Sequence, residues 1–81
     1  MGRTKENHHI VTDPQVLMGK PVIRGTRIPV YVVLDLLGEG LAIRAIQRQY
    51  PDLTKADILA CMKYAARLAD FEELTAASRH S

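Results

Sequence analysis

The segment Gly19–Val30, with the sequence GKPVIRGTRIPV, constrains the fold of this chain more than any other segment. Pro21 and Pro29 fix φ at about −65° and remove two backbone donors, so the residues between them are not expected to be helical. Gly25 allows positive φ, and the pair Gly25-Thr26 is typical of a tight turn. We therefore predict a strand, a turn and a helix start in succession, with three cations around the turn: Lys20, Arg24 and Arg27.

Length and composition indicate one small domain. The chain has 81 residues, of which 47% are hydrophobic and 25% charged, as is usual for a globular protein. A core of this size is marginal, so we expect a homodimer in which the subunit interface adds apolar burial. The single cysteine, Cys61, lies in a helical apolar pattern, which predicts a buried and reduced thiol.

Charge and hydropathy narrow the possible locations and partners. No segment approaches the ~18–20 apolar residues that span a bilayer, so we expect a cytoplasmic protein with no membrane association. The net charge of +2 is a weak argument for nucleic acid as a partner. Its distribution is more informative, because residues 1–30 hold five cations and only two acids.

The periodicity of apolar residues predicts a mainly α fold, with three helices behind a short N-terminal β-arm. The candidate strands are Ile10-Val11-Thr12 and Val22-Ile23. The apolar spacing predicts helices over about 29–39, 43–49 and 54–73, with a further helical turn near Val16–Met18. We expect residues 10–74 to form one domain, with the arm over 10–28, and residues 1–9 and 75–81 to be flexible tails.

Short motifs predict where these helices begin and end. Pro29 suits the first position of the first helix, and Gly40 suits the left-handed residue that follows its last turn. Thr54 and Asp57 have the spacing of a capping box at the start of the third helix. The second helix, the connection 50–53 and the third helix together have the proportions of a helix-turn-helix.

These pieces carry a resemblance to a known family. Ile10-Val11-Thr12-Asp13-Pro14 comes before the central segment, and Tyr50-Pro51-Asp52-Leu53-Thr54-x-x-Asp57-Ile58 comes after it. From about Ile10 to Leu68 the chain resembles the small bacterial family catalogued as Domain of Unknown Function 433. The resemblance implies a homeodomain-like helix-turn-helix core with an N-terminal β-arm. It also implies an antitoxin-like role beside a PIN-like ribonuclease toxin that is encoded nearby.

On that resemblance, Lys20, Arg24 and Arg27 are the candidate residues for binding the toxin. PIN-like ribonucleases hold Mg²⁺ with clustered carboxylates, and a guanidinium pairs with carboxylates through two parallel hydrogen bonds. The alternative reading is structural, since arginine side chains often brace a turn by donating to its carbonyl oxygens.

A second set of residues forms the candidate DNA-binding surface: Arg3, Lys5, Arg44, Arg48, Thr54 and Lys55. The first turn of the third helix offers no Arg or Asn for a bidentate base contact, so we expect contacts to phosphate. The protein would then bind its own operator DNA. Two alternatives stay open: a stand-alone DNA-binding regulator, and a protein–protein adaptor whose helix-turn-helix core is purely structural.

Catalysis is not expected from this sequence. The three histidines (His8, His9 and His80) fall in the predicted tails, and the chain has neither a phosphate loop nor a recognisable nucleophile–histidine–acid arrangement. Positioned metal ligands with suitable spacing are not evident either. We therefore expect a protein that is not an enzyme and that requires no metal or cofactor.

Overall fold

The computed structural model describes residues 8–80, with side chains described for residues 8–70. Within these residues the protein is mainly α, with three helices behind a two-stranded arm, as the sequence predicts. The elements are β1 (Ile10–Val11), β2 (Val22–Ile23), α1 (Val30–Gly38), α2 (Ile43–Gln49) and α3 (Lys55–His80). Most of the tail predicted over residues 1–9, including Arg3 and Lys5, lies outside the described residues.

Strand β2 has hydrogen-bonding partners on both of its edges. On one edge it pairs antiparallel with β1, with Ile10 opposite Ile23 and Val11 opposite Val22. On the other edge Val22 bridges to Pro29, and the Ile23 N–H donates to the Ile28 carbonyl at 3.0 Å. The segment that leads into α1 therefore supplies the third extended element that two such short strands need.

The start of α1 differs from the prediction by one residue. Pro29 is not the first helical residue, because its φ of −70° and ψ of 147° are extended and the helix begins at Val30. The bridge to Val22 holds Pro29 in the extended region. The Val30 N–H, which has no partner within the helix, instead donates to the Pro21 carbonyl at 3.0 Å.

The end of α1 follows the prediction. Gly40 has a φ of +93°, which a side chain would disfavour. Its N–H donates to the Leu37 carbonyl at 2.9 Å, and the Leu41 N–H donates to the Leu36 carbonyl at 3.1 Å. These two bonds form a Schellman motif, which satisfies carbonyl oxygens that the helix leaves open.

Helix α2 has the predicted bounds, whereas α3 is longer than predicted. Helix α3 continues through His80 instead of ending near Glu73, so residues 75–80 are helical. The sequence from Leu74 to His80 contains no glycine or proline and includes two alanines, the best helix formers. The prediction of an early end treated small and polar residues as a stop signal, and such residues alone do not stop a helix.

One apolar cluster joins the arm to all three helices. It contains Ile23, Val30, Val33, Ile46, Leu53, Ile58 and Cys61, each at most 3% exposed. The buried thiol agrees with the prediction, but the predicted apolar stripe of α3 is buried only in part. Met62 and Leu68 are exposed, and residues 66–70 are exposed on every face, so α3 leaves the body of the domain after Ala65.

The loop between the strands contains a turn of unusual handedness. The sequence predicts a helical turn near Val16–Met18, and a 3-10 turn is present over Leu17–Gly19. Its three residues all have positive φ: 51° at Leu17, 57° at Met18 and 85° at Gly19. Leu17 and Met18 are 42% and 88% exposed, so the turn presents both apolar side chains to solvent.

Neighbouring residues of α3 provide a matched test of this packing. Ile58 is fully buried and Leu59 is 42% exposed. We expect Ile58→Ala to lower the free energy of unfolding by about 2–5 kcal/mol. Leu59→Ala should lower it by about 1 kcal/mol or less. Urea unfolding followed by circular dichroism measures both changes, and similar losses from the two variants would contradict the packing described here.

Candidate functional site

A rigid turn carries two of the three predicted cations, Arg24 and Arg27. The Thr26 N–H donates to the Ile23 carbonyl at 3.0 Å, and Gly25 has a φ of +79°, as expected for the third residue of a type II turn. The Thr26 hydroxyl donates to the same carbonyl at 2.7 Å and accepts from the Ile28 N–H at 2.9 Å. Because these bonds fix the backbone from Ile23 to Ile28, little loop entropy remains to be lost on binding.

The two arginines of this turn have different surroundings. Both are exposed. The Nε of Arg24 donates to the His8 carbonyl at 2.7 Å, so this side chain braces the arm as the structural alternative anticipates. Among the described residues, Arg27 makes neither a hydrogen bond nor an ion pair and extends into solvent with all five of its donors available. Arg27 is therefore the cation of this turn best placed to meet an external anion.

Lys20 belongs to a separate surface. Its Nζ lies 6.0 Å from the centroid of the Tyr31 ring, at the outer limit of a cation–π contact. The two side chains border an open groove of about 420 Å³ between α1 and α3. The groove is mostly apolar and is lined by Lys20, Pro21, Val30, Tyr31, Leu34, Tyr64 and Leu68. Leu34 is half-buried and forms part of this lining.

The N-terminus of α3 contains the predicted capping box. The Asp57 N–H donates to the Thr54 hydroxyl at 3.0 Å, and Asp57 Oδ2 accepts from the Thr54 N–H at 3.0 Å. Each residue thereby satisfies a backbone donor of the other. Thr54 and Lys55 are exposed, so the predicted DNA-binding positions at this helix start are accessible to solvent.

A histidine that the sequence analysis places in a tail completes this cap. His9 Nδ1 lies 2.8 Å from Asp57 Oδ1 and joins the arm to α3 across 48 positions of sequence. Asp57 therefore uses one oxygen for the helix cap and the other for the arm. The prediction that His9 lies in a flexible tail is wrong, because the ring contacts α3. A contact with so distant a residue leaves no local pattern in the sequence.

These contacts shift the pKa values of two groups. Burial favours the neutral form of Asp57, but the Thr54 backbone N–H, the His9 ring and the Thr54 side chain together lower its pKa below the usual 3.8. Burial also raises the pKa of the Cys61 thiol to about 11, and the nearby Asp57 carboxylate adds to that increase. Cys61 is fully buried, so its thiol stays protonated and unreactive at neutral pH.

Cations from α2 and α3 share a second concave surface. A depression of about 500 Å³ is lined by Ala42, Ile43, Arg44, Gln47 and Lys55. Gln47 Nε2 donates to the Leu53 carbonyl at 3.1 Å, which fixes the connection between the two helices. The structure thus brings Arg44 and Lys55 together, while Arg48 is exposed one turn further along α2. None of the described residues that line the depression is a carboxylate, so its charge favours an anion.

Within the described residues, no three histidine, cysteine or carboxylate side chains come together in a way that could hold a metal ion. None of the helices there has the length and apolar character required to cross a membrane.

The structure defines a small three-helix domain with an N-terminal β-arm. The model of the family described as "Protein of unknown function (DUF433)" matches residues 10–65, and the chain belongs to this family. The crystal structure of a DUF433 member protein from Anabaena variabilis ATCC 29413 superimposes with a TM-score of 0.71 and 29% sequence identity. The superposition covers 89% of this chain and 70% of that one.

A curated relative is similar over a shorter part of its length. The uncharacterized protein y4eO of Sinorhizobium fredii is 34% identical over 56 residues, which are 69% of this chain. The chain spans only 25% of the length of that relative. The similarity therefore supports the family and says nothing about activity.

The lowered pKa of Asp57 leads to a prediction about stability and pH. A carboxyl whose pKa is lower in the folded state stabilises the fold above about pH 3.8, and this contribution is lost as the pH falls through the folded pKa. We expect the stability advantage of the natural protein over Asp57→Asn to be full at pH 6 and to shrink below pH 3.8. Urea midpoints at several pH values measure it. Asp35→Asn, on the exposed face of α1, is the control, and an advantage that persists at pH 2 would contradict this prediction.

Proposed function

We propose that this protein is the antitoxin-like component of a bacterial toxin–antitoxin pair that binds and neutralises a PIN-like ribonuclease encoded nearby. The observation that carries the proposal is Arg27, exposed and without a partner among the described residues on a turn that hydrogen bonds hold rigid. A free guanidinium on such a turn can pair with two carboxylate oxygens at once. In a nuclease site built from clustered carboxylates, such a pair occupies the ligands of the catalytic metal.

The three predicted toxin-binding cations contribute unequally under this proposal. Arg27 enters the acidic site, because no contact within the described residues restrains its guanidinium. Arg24 retains its terminal amino groups for binding, but its Nε already donates to the His8 carbonyl of the arm. Lys20 lies beside Tyr31 and contacts the rim of the partner as a point charge. Binding energy is thus concentrated in one residue, as is common in protein interfaces.

A titration against the neighbouring PIN-like protein tests the role of Arg27. Arg27→Ala should cost about 2–5 kcal/mol of binding free energy, because it leaves carboxylates unpaired in the interface. Arg27→Lys should recover only part of that loss, since an ammonium cannot make the two-pronged contact. Lys63→Ala, which removes an exposed cation from α3, is the matched control. Unchanged affinity for Arg27→Ala would contradict the proposal.

Thermal unfolding distinguishes the structural role of Arg24 from the binding role of Arg27. Arg27→Ala should leave the melting temperature unchanged, because Arg27 makes no hydrogen bond or ion pair within the described residues. Arg24→Ala should lower it, since the bond from Nε to the His8 carbonyl is lost.

A second candidate function, operator binding, is supported by a different observation. Arg44 and Lys55 line one depression between α2 and α3, at the position where a helix-turn-helix meets the DNA backbone. The described residues of its lining include no carboxylate, whereas Asp57 further along α3 is engaged by Thr54 and His9. We propose that this surface holds phosphate and thereby positions the protein on duplex DNA, and a stand-alone regulator would use the same surface.

Salt dependence tests the DNA-binding surface. If both cations contact phosphate, Arg44→Ala with Lys55→Ala should reduce the slope of log affinity against log salt by roughly 1.8. Arg27→Ala with Lys63→Ala removes the same charge from other surfaces and is the control. Equal slopes for the two double variants would exclude the depression as the contact. Absence of binding to any duplex would favour an adaptor with a structural helix-turn-helix.

Self-association is the third part of the proposal. The groove bordered by Tyr31, Leu34, Tyr64 and Leu68 is mainly apolar and opens where α3 leaves the body. We propose that a second copy covers it to form the homodimer expected for so small a core.

Light scattering at micromolar concentration should report twice the 9.0 kDa mass of one chain. Leu68→Glu, which places a charge in the groove, should yield a monomer that remains helical. Leu59→Glu introduces the same charge at an exposed position of α3 outside the groove and should remain dimeric. A natural protein that is monomeric at this concentration would exclude the dimer.

A further inference from the structure

Two consecutive residues of the arm contact both candidate sites. On one side, the Arg24 N–H donates to the His9 carbonyl at 2.7 Å, and Arg24 Nε donates to the His8 carbonyl at 2.7 Å. On the other side, the His9 ring reaches the Asp57 carboxylate at 2.8 Å. The cationic turn and the N-terminus of α3 are therefore connected through the pair His8-His9.

The position of this pair depends on few other contacts. Strand β1 comprises only Ile10 and Val11, and strands of this length are marginal on their own. The His9 side chain is 41% exposed and that of Asp57 is 16% exposed, so the contact is partly shielded from water. A partly buried and charge-assisted hydrogen bond is stronger than a fully exposed one. It therefore adds to the packing of Ile10 against the core in holding β1 beside α3.

We infer that the His9–Asp57 contact couples the cationic turn to the start of α3, so that a change at either site alters the local stability of the other. With the contact formed, the His8 and His9 carbonyls are held where Arg24 needs them. With the contact broken, the carbonyls that Arg24 binds are no longer held in place, and Asp57 keeps only its hydrogen bonds with Thr54. A coupling free energy between two sites is reciprocal, so the effect must be measurable in both directions. The inference concerns this chain alone and does not depend on the identity of a toxin or of a DNA site.

Amide hydrogen exchange in the unliganded protein tests the first direction. His9→Phe removes the ring nitrogen but keeps the carbonyl that the Arg24 N–H uses. We expect the Arg24 amide to exchange about two- to tenfold faster in this variant, the change that loss of one hydrogen bond produces. His8→Phe alters a ring that makes no hydrogen bond or ion pair within the described residues and is the matched control. His9→Asn, whose side-chain amide can replace Nδ1, should restore the protection.

The reverse direction uses the turn itself. Arg24→Ala removes the bond to the His8 carbonyl and should accelerate exchange of the Thr54 amide, which is bonded to Asp57 Oδ2. Arg27→Ala removes a cation from the same turn and breaks no hydrogen bond within the described residues, so the Thr54 amide should keep its natural rate. Amides in the middle of α1, such as that of Val33, report any global loss of stability in each variant.

Each outcome decides the inference. Selective acceleration of Arg24 in His9→Phe and of Thr54 in Arg24→Ala, relative to Val33, supports the coupling. Acceleration equal to that of Val33 shows general destabilisation and overturns it. Equal effects from the control variants also overturn it. If His9→Phe does not fold, natural protection in His9→Asn together with a fast Thr54 amide in Arg24→Ala supports the coupling, and a natural Thr54 rate overturns it.

Discussion

The fold depends on the burial of Ile23, a strand residue, within a core that is otherwise helical. Ile23 is fully buried and packs in one cluster with residues of all three helices. Full burial of such a side chain contributes about 1.5–3 kcal/mol, against a net contribution of about 1 kcal/mol for one backbone hydrogen bond. The side chain therefore holds the strand in place, and the hydrogen bonds on both edges of β2 fix its register. The arm is an integral part of the domain because its strand fills the core.

This arrangement explains why the candidate sites sit where they do. The backbone that follows Ile23 must turn back at once so that Val30 can enter the same core at the start of α1. The turn therefore lies at the surface, and its hydrogen bonds to Thr26 and His9 make it rigid. On the opposite side of the arm, His9 precedes β1 and reaches the cap of α3. Rigid surface loops on a packed scaffold are where binding residues are commonly found.

Sequence predicts those parts of the molecule that are set by neighbouring residues. The bounds of α2, the reciprocal cap of Thr54 and Asp57 and the left-handed Gly40 all follow from short-range patterns. The bridge that moves the start of α1 past Pro29 joins two extended segments across a turn, and the bonds from Arg24 and His9 join residues distant in the chain. Periodicity carries no information about these pairings. The late end of α3 has a different cause, because small and polar residues without glycine or proline do not stop a helix.

The left-handed turn at Leu17–Gly19 stores backbone strain at two residues that bear large side chains. A left-handed conformation costs a side-chain-bearing residue roughly 1–2 kcal/mol, while glycine there would lose roughly 0.5–1 kcal/mol in backbone entropy. Glycine at Leu17 or Met18 would thus leave the turn about as stable or slightly more so. The chain instead keeps two large apolar side chains in a strained and exposed position. The turn therefore presents both side chains to solvent at the expense of backbone strain, and its own stability does not require them.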